Sequence, residues 1–283
     1  MPSERRFQLP GLSLAAQVWG EPGGRRVLAS HGWLDNAGSF DLLAPLVPGC
    51  EIVALDAAGH GFSDSRSADA GYNLWQDVGD LLDVLDALGW KSANLLGHSM
   101  GGAIATMVAA GAPERVERLA LIEALGPISG KAEEAGSRLQ MAVKARRALD
   151  GGRTPRLIPN LDAAVAARLA VSQMSTEAAT LIVGRNLRTV AGGYAWRSDP
   201  RLTLPGHVRT DEAFIQAWIR AIEAPTLVIA ADPAPVYFTP EARDARVAQL
   251  KDGRCEVITG GHHLHMEQAP RIGALLREFL LTR

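Results

Sequence analysis

Short, nearly continuous apolar runs recur along the chain: Val27 to Ser30, Ile52 to Leu55, Ala93 to Leu96, Leu119 to Ile122, Thr226 to Ala230 and Glu256 to Ile258. Most are bounded by Gly, Asp or Pro. Runs this short and this uniformly apolar predict strands buried on both faces of a parallel sheet. Between them, apolar residues recur at the helical period. Leu74, Val78, Leu81, Leu82, Leu85 and Leu88 form one stripe, with Asn73 as the expected N-cap and Gly89 as the stop. Met100 to Ala110 is small and apolar throughout, which predicts a buried helix. Ile272, Leu275, Leu276, Phe279 and Leu280 predict a last amphipathic helix behind Pro270. This alternation predicts the α/β class, with a mostly parallel, doubly wound sheet.

The alternation stops between residues 127 and 212. No strand-like run longer than Leu181 to Val183 occurs there, and that one lies in a helical context. Leu161, Val165 and Leu169 share a helix face behind Pro159-Asn160, an N-cap signal. The expected organisation is therefore a core of residues 1–126 and 213–283 interrupted by a mainly helical insertion, 127–212. The insertion carries 13 Lys and Arg against 8 Asp and Glu, a net charge of +5. The remainder carries 16 against 23, a net charge of −7. Complementary docking of insertion on core is one reading of that asymmetry. A cationic rim favouring anionic substrates is the other.

Composition narrows the class further. The 283 residues are 47% hydrophobic and 21% charged, with a net charge of −2. That balance shows no nucleic-acid footprint, and no apolar run approaches the length of a membrane span. The polar start, Met1-Pro2-Ser3-Glu4-Arg5-Arg6, leads into no signal-peptide core. Two cysteines, Cys50 and Cys255, cannot build a disulfide framework or a metal site by themselves. They read as small hydrophobes in a reducing compartment, so a cytoplasmic location is expected.

Chemistry concentrates in three places. Leu95-Leu96-Gly97-His98-Ser99-Met100-Gly101-Gly102 is G-x-S-x-G between a predicted strand and a predicted helix. That context is what a nucleophile elbow requires: a tight turn lifts the serine hydroxyl above the sheet, and the glycines permit the close approach. Upstream, the strand at Val27 runs into His31-Gly32-Trp33. Acyl transfer needs backbone N–H donors aimed at a developing oxyanion. Met100, after the serine, and Trp33, in the earlier loop, are the expected pair. A base must follow, and Gly260-Gly261-His262-His263-Leu264-His265 supplies the candidates. Three histidines in four residues also raise a metal reading, but no second ligand cluster and no helical i, i+4 pair accompany them. His262, directly behind the Gly pair, is the expected base. His263 and His265 are expected to pack the loop or line a pocket, and His98 to pack under the turn. Asp35 is expected to tether the oxyanion loop or cap the next helix.

Over nearly its whole length the chain resembles the α/β-hydrolase superfamily. Asp56-Ala57-Ala58-Gly59-His60-Gly61-Phe62-Ser63-Asp64 is similar to its D-x-x-G-H-G-x-S loop, and Gly261-His262-x-x-His265-x-Glu267-x-x-Pro270 to its catalytic-histidine turn. His31-Gly32-Trp33-Leu34-Asp35-Asn36-Ala37-Gly38-Ser39-Phe40 and Gly192-Gly193-Tyr194-x-x-x-x-Pro200-Arg201-Leu202 resemble the serine hydrolase-like branch. The resemblance implies a chemistry class and no particular substrate. The acid departs from the common pattern. Ala234 stands at the usual position, with Asp232 two residues early. Glu123 closes the strand after the elbow helix, and resembles the relocated Glu of some haloalkane dehalogenases. A Glu ending an apolar strand is costly unless paired, and an imidazole is a suitable partner. Glu123 is the expected acid, with Asp232 as the alternative.

These residues predict a serine hydrolase acting on carboxylic esters or related acyl compounds, with Ser99 as nucleophile, His262 as base and Glu123 as orienting acid. No cofactor or metal is expected, and the expected partner is a small-molecule substrate under a helical cap. Two alternatives stay open. One is C–C bond hydrolysis or haloperoxidase-type activity on the same triad; the other is a non-catalytic binding protein on the same fold. Trp33, Tyr194, Trp196, Phe214 and Trp218 read as pocket or core aromatics, Trp33 being placed at the site by its motif.

Overall fold

The computed structural model describes residues 1–150 and 157–282. The chain opens with β1 (Ser3–Leu9) and β2 (Leu12–Trp19), then β3 (Arg25–Ser30), β4 (Cys50–Leu55), α1 (Leu74–Ala87), β5 (Ala93–His98), α2 (Met100–Gly111) and β6 (Val116–Ile122). Next come α3 (Ala135–Asp150), α4 (Leu161–Leu169), α5 (Thr176–Asn186), a hairpin of β7 (Leu187–Val190) and β8 (Gly193–Trp196), and α6 (Glu212–Ala221). The chain returns through β9 (Thr226–Asp232), α7 (Pro240–Val247), β10 (Gly253–Thr259), α8 (Leu264–Glu267) and α9 (Ala269–Leu281).

Eight strands form one sheet in the order β1-β2-β4-β3-β5-β6-β9-β10. β1 with β2 and β2 with β4 are antiparallel, and the remaining pairs are parallel. The uniform apolarity of the strands follows from burial on both faces. Along β6, Leu119 and Leu121 join the cluster that packs α1, α2 and α6, while Ala120 and Ile122 join the cluster that packs α9. Leu28 and the pair Val27 and Ala29 divide in the same way on β3. Each fully buried Leu or Ile contributes about 1.5–3 kcal/mol.

Neighbouring strand ends are level. Ser30 pairs with Gly97, His98 with Ile122 and Ile122 with Ile229. β3 lies between β4 and β5, so the chain winds first to one side and then to the other. The carboxyl ends of β3 and β5 therefore flank the switch point, where open α/β sheets form their crevice.

The N-terminal β1–β2 hairpin and a second hairpin escape the apolar-run criterion. β1 is an edge strand whose Glu4, Arg5 and Arg6 are exposed, with only Phe7 fully buried. Its polarity protects the edge and hides the strand. The second is the β7–β8 hairpin, in a segment expected to be mainly helical. Its strands have four residues each and turn through Gly192 at φ 84°. A Cβ on Gly193 would stand 2.5 Å from the Ile158 carbonyl oxygen, so the turn requires Gly192 and the close approach of Ile158 requires Gly193. Leu181 to Val183 lies inside α5, as its context predicts. Cys50 is buried, Cys255 is partly buried, and neither is in a disulfide. No helix among the described residues is long and apolar enough to cross a membrane.

The segment between β6 and β9 is clamped to the sheet by buried charge. From α5, Arg185 Nε reaches both Asp56 carboxylate oxygens at 2.9 Å, and its Nη atoms reach Glu4 at 2.6 and 3.0 Å. Asp56 also accepts from the Ala37 and Phe62 amides, each at 2.8 Å. The basic excess of this segment is thus partly engaged in docking. Asp56→Asn leaves Arg185 short of charge in a buried setting. It is expected to lower unfolding free energy by about 2–4 kcal/mol in urea titration; a loss below about 0.5 kcal/mol would show that Glu4 alone holds the clamp.

Candidate active site

The elbow is built by close backbone approach. A Cβ on Gly97 would lie 2.5 Å from the Gly102 Cα, and one on Gly101 would lie 2.1 Å from the Ser30 carbonyl oxygen. Only glycine fits either position. Ser99 lies between them at φ 52° and ψ −114°, with its amide donating to the Ile122 carbonyl at 2.9 Å. Helix α2 starts immediately afterwards, so the Met100 N–H is one of the unsatisfied donors of a helix N-terminus. Gly101 N–H donates to the His31 carbonyl at 3.0 Å, which binds the helix start to the loop after β3. Among the described residues, neither Trp33 N–H nor Met100 N–H has a hydrogen-bond partner.

Three described residues other than glycine have positive φ: Leu34 at 60°, Ser99 at 52° and Glu123 at 58°. They follow β3, β5 and β6. Each costs roughly 1–3 kcal/mol and persists only where surrounding structure enforces it. All the strain of this kind therefore sits in the loops that carry the expected oxyanion donors, nucleophile and acid.

Buried histidines hold the loop after β3. His31 Nδ1–H donates to the Gly32 carbonyl at 2.7 Å, and its Nε2 accepts from the Ala57 amide at 3.0 Å. His60 Nδ1–H donates to the Ala58 carbonyl at 3.0 Å, and its Nε2 accepts from the Leu34 amide at 3.2 Å. Each ring uses one donor and one acceptor, as a neutral imidazole must. Burial agrees, pushing His31 down to about 4 and His60 to about 3. Both motif histidines thus act as clamps between the β3 and β4 loops.

Glu123 and His262 meet. Glu123 is 1% exposed; its Oε1 accepts from the Ala231 amide at 2.5 Å and its Oε2 lies 3.2 Å from His262 Nδ1. His262 stays part-exposed on the loop before α8. Asp232 is brought to neither nitrogen. It ends β9 exposed, and its main-chain carbonyl accepts from the Gly260 amide at 2.9 Å. A residue missed in the sequence completes the surroundings: the Tyr237 hydroxyl lies 2.9 Å from His262 Nδ1 and 3.3 Å from Nε2. No hydrogen bond joins the Ser99 hydroxyl to His262 among the described residues; the Ser99 amide is tied instead to the Ile122 carbonyl, one residue before Glu123.

A second layer supports the histidine loop from behind. His98 Nε2–H donates to the His262 carbonyl at 2.9 Å. Its Nδ1 lies 3.6 Å from Asp35 Oδ2, and His263 Nε2 lies 3.4 Å from the same oxygen. Arg168 of α4 closes the group, bonding Asp35 Oδ1 and reaching the Leu34 carbonyl at 3.3 Å. Burial alone would raise Asp35, but the neighbouring His263 and His98 rings and the Arg168 charge hold it well below the usual carboxylate range. Asp35 is the tether, while Asn36 caps the following turn. His265 is fully buried against the His98 ring at 4.1 Å and the Phe40 ring at 5.7 Å. No described group of His, Cys, Asp or Glu is placed to hold a metal ion. Of the aromatics expected in pocket or core, Phe214 is 60% exposed and Trp196 38%, so neither belongs to the core. Phe214 and half-buried Trp218 stack edge-on along α6, with Trp75 of α1 beyond. Trp33 is also exposed, and its indole N–H donates to the Leu202 carbonyl at 2.9 Å.

Known proteins share this fold. A family model described as the alpha/beta hydrolase fold matches residues 25–153. A serine hydrolase-like protein of Dictyostelium discoideum is 31% identical over 95% of this chain and 79% of its own length. The crystal structure of a hypothetical protein from Pseudomonas aeruginosa superposes with a TM-score of 0.92 at 42% identity, covering 99% of each chain. An esterase of Mycobacterium tuberculosis shares the fold at 22% identity and a TM-score of 0.74, over 99% of this chain and 92% of that one. The chain belongs to the α/β-hydrolase family, among the serine hydrolase-like proteins.

The buried histidines carry a pH consequence. Burial pushes His98 down to about 4 and His265 well below its ordinary value, alongside His31 and His60. The unfolded chain binds these protons near pH 6.5, and the native state does not until far lower. Their contribution is present above about pH 6.5 and is lost as pH falls toward 4. Asp41 and Asp77, lifted by burial to about 6, oppose this over the same range. Four histidines outweigh two carboxyls. Urea-unfolding free energy is expected to drop by at least about 2 kcal/mol between pH 7 and pH 5; a flat profile would contradict the neutral assignment.

Proposed function

We propose that this protein is a serine-dependent hydrolase of carboxylic esters working through a covalent acyl-enzyme. The observation that carries the reading is the Glu123–His262 contact beside the strained Ser99 turn. In the proposed cycle His262 Nε2 takes the Ser99 proton as Oγ attacks the ester carbonyl. Glu123 accepts from Nδ1–H, fixing the tautomer that leaves Nε2 free as a base and stabilising the imidazolium. The unpartnered Trp33 and Met100 N–H groups receive the oxyanion, at a helix start whose dipole favours negative charge. His262 returns the proton to the departing alcohol, and water then attacks the acyl-enzyme by the same route.

The segment 127–212 is proposed as the cap that shapes the substrate pocket. Its support is contact with the oxyanion loop. Arg168 bonds Asp35, Leu202 accepts from the Trp33 indole, and the Ile182 carbonyl accepts from Asn36 Nδ2 at 2.7 Å. Serine at position 99 favours acyl chemistry over the aspartate-nucleophile reactions of the same superfamily. The acid supplied by Glu123 answers the vacancy at Ala234 that a non-catalytic binding protein would explain. The proposed substrate is a small ester, with no cofactor needed for the steps above.

The test is covalent and kinetic. A fluorophosphonate probe is expected to label the wild-type protein rapidly at Ser99 and to leave Ser99→Ala unlabelled. Ser99→Ala is expected to lower kcat on p-nitrophenyl esters by at least about a thousandfold. Absence of wild-type labelling, or retention of more than about a tenth of kcat in the variant, would overturn the reading.

A further inference from the structure

Leu34 follows the expected oxyanion donor Trp33 and is strained at φ 60°. It is gripped from both sides. Its amide donates to His60 Nε2 at 3.2 Å, and its carbonyl accepts from Arg168 Nη1 at 3.3 Å. Arg168 Nη2 also bonds Asp35 Oδ1. The other carboxylate oxygen, Oδ2, faces His98 Nδ1 at 3.6 Å and His263 Nε2 at 3.4 Å. It also leaves no space at Gly32, where a Cβ would stand 2.9 Å from it. One carboxylate, 1% exposed, thus abuts the residue before Trp33, the residue before Ser99 and the residue after His262. Its cationic partner comes from outside the sheet, on α4. That helix is well supported. Ala164 and Val165 pack with Ala179 and Val183 of α5, whose Ile182 carbonyl accepts from Asn36 Nδ2 at 2.7 Å. The Ser175 amide, at the start of α5, donates to Glu267 Oε1 of α8 at 2.8 Å. The α4–α5 pair therefore touches both the loop after β3 and the element behind His262.

We propose that Arg168 is a positioning residue for the reaction, holding Trp33, Ser99 and His262 in mutual register through Leu34 and Asp35. This rests on the acyl-enzyme reading above. Two consequences follow from removing the guanidinium. Backbone strain persists only where neighbours enforce it, so an unheld Leu34 carbonyl lets the turn relax and the Trp33 N–H swing with it. A buried carboxylate without a countercharge is costly. Asp35 is then left to draw on His98 and His263, the residues that carry Ser99 and His262. Either movement misaligns the reacting groups, to which the rate of the chemical step is acutely sensitive. The arginine's donors are spent on Leu34 and Asp35, so its effect falls on turnover and not on attraction of an anionic substrate.

The experiment follows fluorophosphonate labelling against probe concentration in wild type, Arg168→Met and Arg168→Lys. The saturating first-order rate reports alignment of the reacting groups, and the half-saturating concentration reports binding. Steady-state kcat and KM on one p-nitrophenyl ester accompany it, with circular dichroism confirming the fold. Arg168→Met is expected to lower the saturating rate and kcat by about tenfold or more. The half-saturating concentration and KM are expected to stay within about threefold of wild type. Arg168→Lys keeps a charge beside Asp35 but lacks the fork that reaches Leu34 as well, so a smaller loss of about threefold or more is expected. An unchanged rate in folded Arg168→Met would overturn the proposal, leaving Arg168 a clamp for the fold alone. A loss confined to KM and the half-saturating concentration would also overturn it, making Arg168 a pocket residue. If Arg168→Met does not fold, Arg168→Lys decides in the same terms, and a wild-type rate there overturns the proposal. If the wild type itself neither labels nor hydrolyses the ester, the acyl-enzyme reading fails and this proposal with it.

Discussion

Helix α2 begins where the backbone of β3 leaves no space for a side chain. The Gly101 position stands against the Ser30 carbonyl, and Gly97 stands against Gly102. That closeness forces Ser99 into a backbone region that L-residues avoid. It also brings the unsatisfied helix N-terminus beside the loop after β3, where Gly101 N–H holds the His31 carbonyl. The strained serine and the free Met100 N–H are consequences of one packing constraint. Two apolar clusters, one on each face of the sheet, supply the stability that offsets it.

Some of the polar groups buried around this turn tie its loops together, while His98 Nδ1, His263 Nδ1 and both His265 nitrogens have no hydrogen-bond partner among the described residues. His31 and His60 bind the loop after β3 to the loop after β4, and His98 holds the His262 carbonyl. Asp35 gathers His98, His263 and Arg168. Through Arg168 and the Arg185–Asp56 pair, the helical segment is fixed to the same loops that carry the candidate chemistry. Under the proposed function, substrate shape and oxyanion geometry are therefore set by one connected group of side chains.

The strands were legible because two-face burial leaves an apolar run, and β6 alternates its residues between the two clusters. Ser99 was legible because glycine spacing reports backbone crowding directly. Glu123 stood out as a carboxylate closing an apolar strand, and Asp232 lost weight because it precedes Pro233. The N-terminal hairpin was hidden by the charged residues of its edge strand, and β7–β8 by its brevity. The partners of Asp35 lie at positions 98, 168 and 263, a distance in sequence that no local pattern encodes. Tyr237 carried no signal either, since a lone tyrosine in a Pro-rich loop resembles any other surface residue. Phe214 and Trp196 were misleading because aromatic character predicts burial only on average.

The central claim is that the carboxylate at the end of β6 orients the histidine, in place of one after β9. Paired variants separate the two most directly: kcat on one p-nitrophenyl ester, measured for Glu123→Gln and for Asp232→Asn, with circular dichroism confirming the fold. Glu123→Gln is expected to lower kcat by about a hundredfold or more, because the imidazolium loses its charge partner. Asp232→Asn is expected to stay within about threefold of wild type, as an exposed substitution should. The reverse order of the two losses would contradict the account.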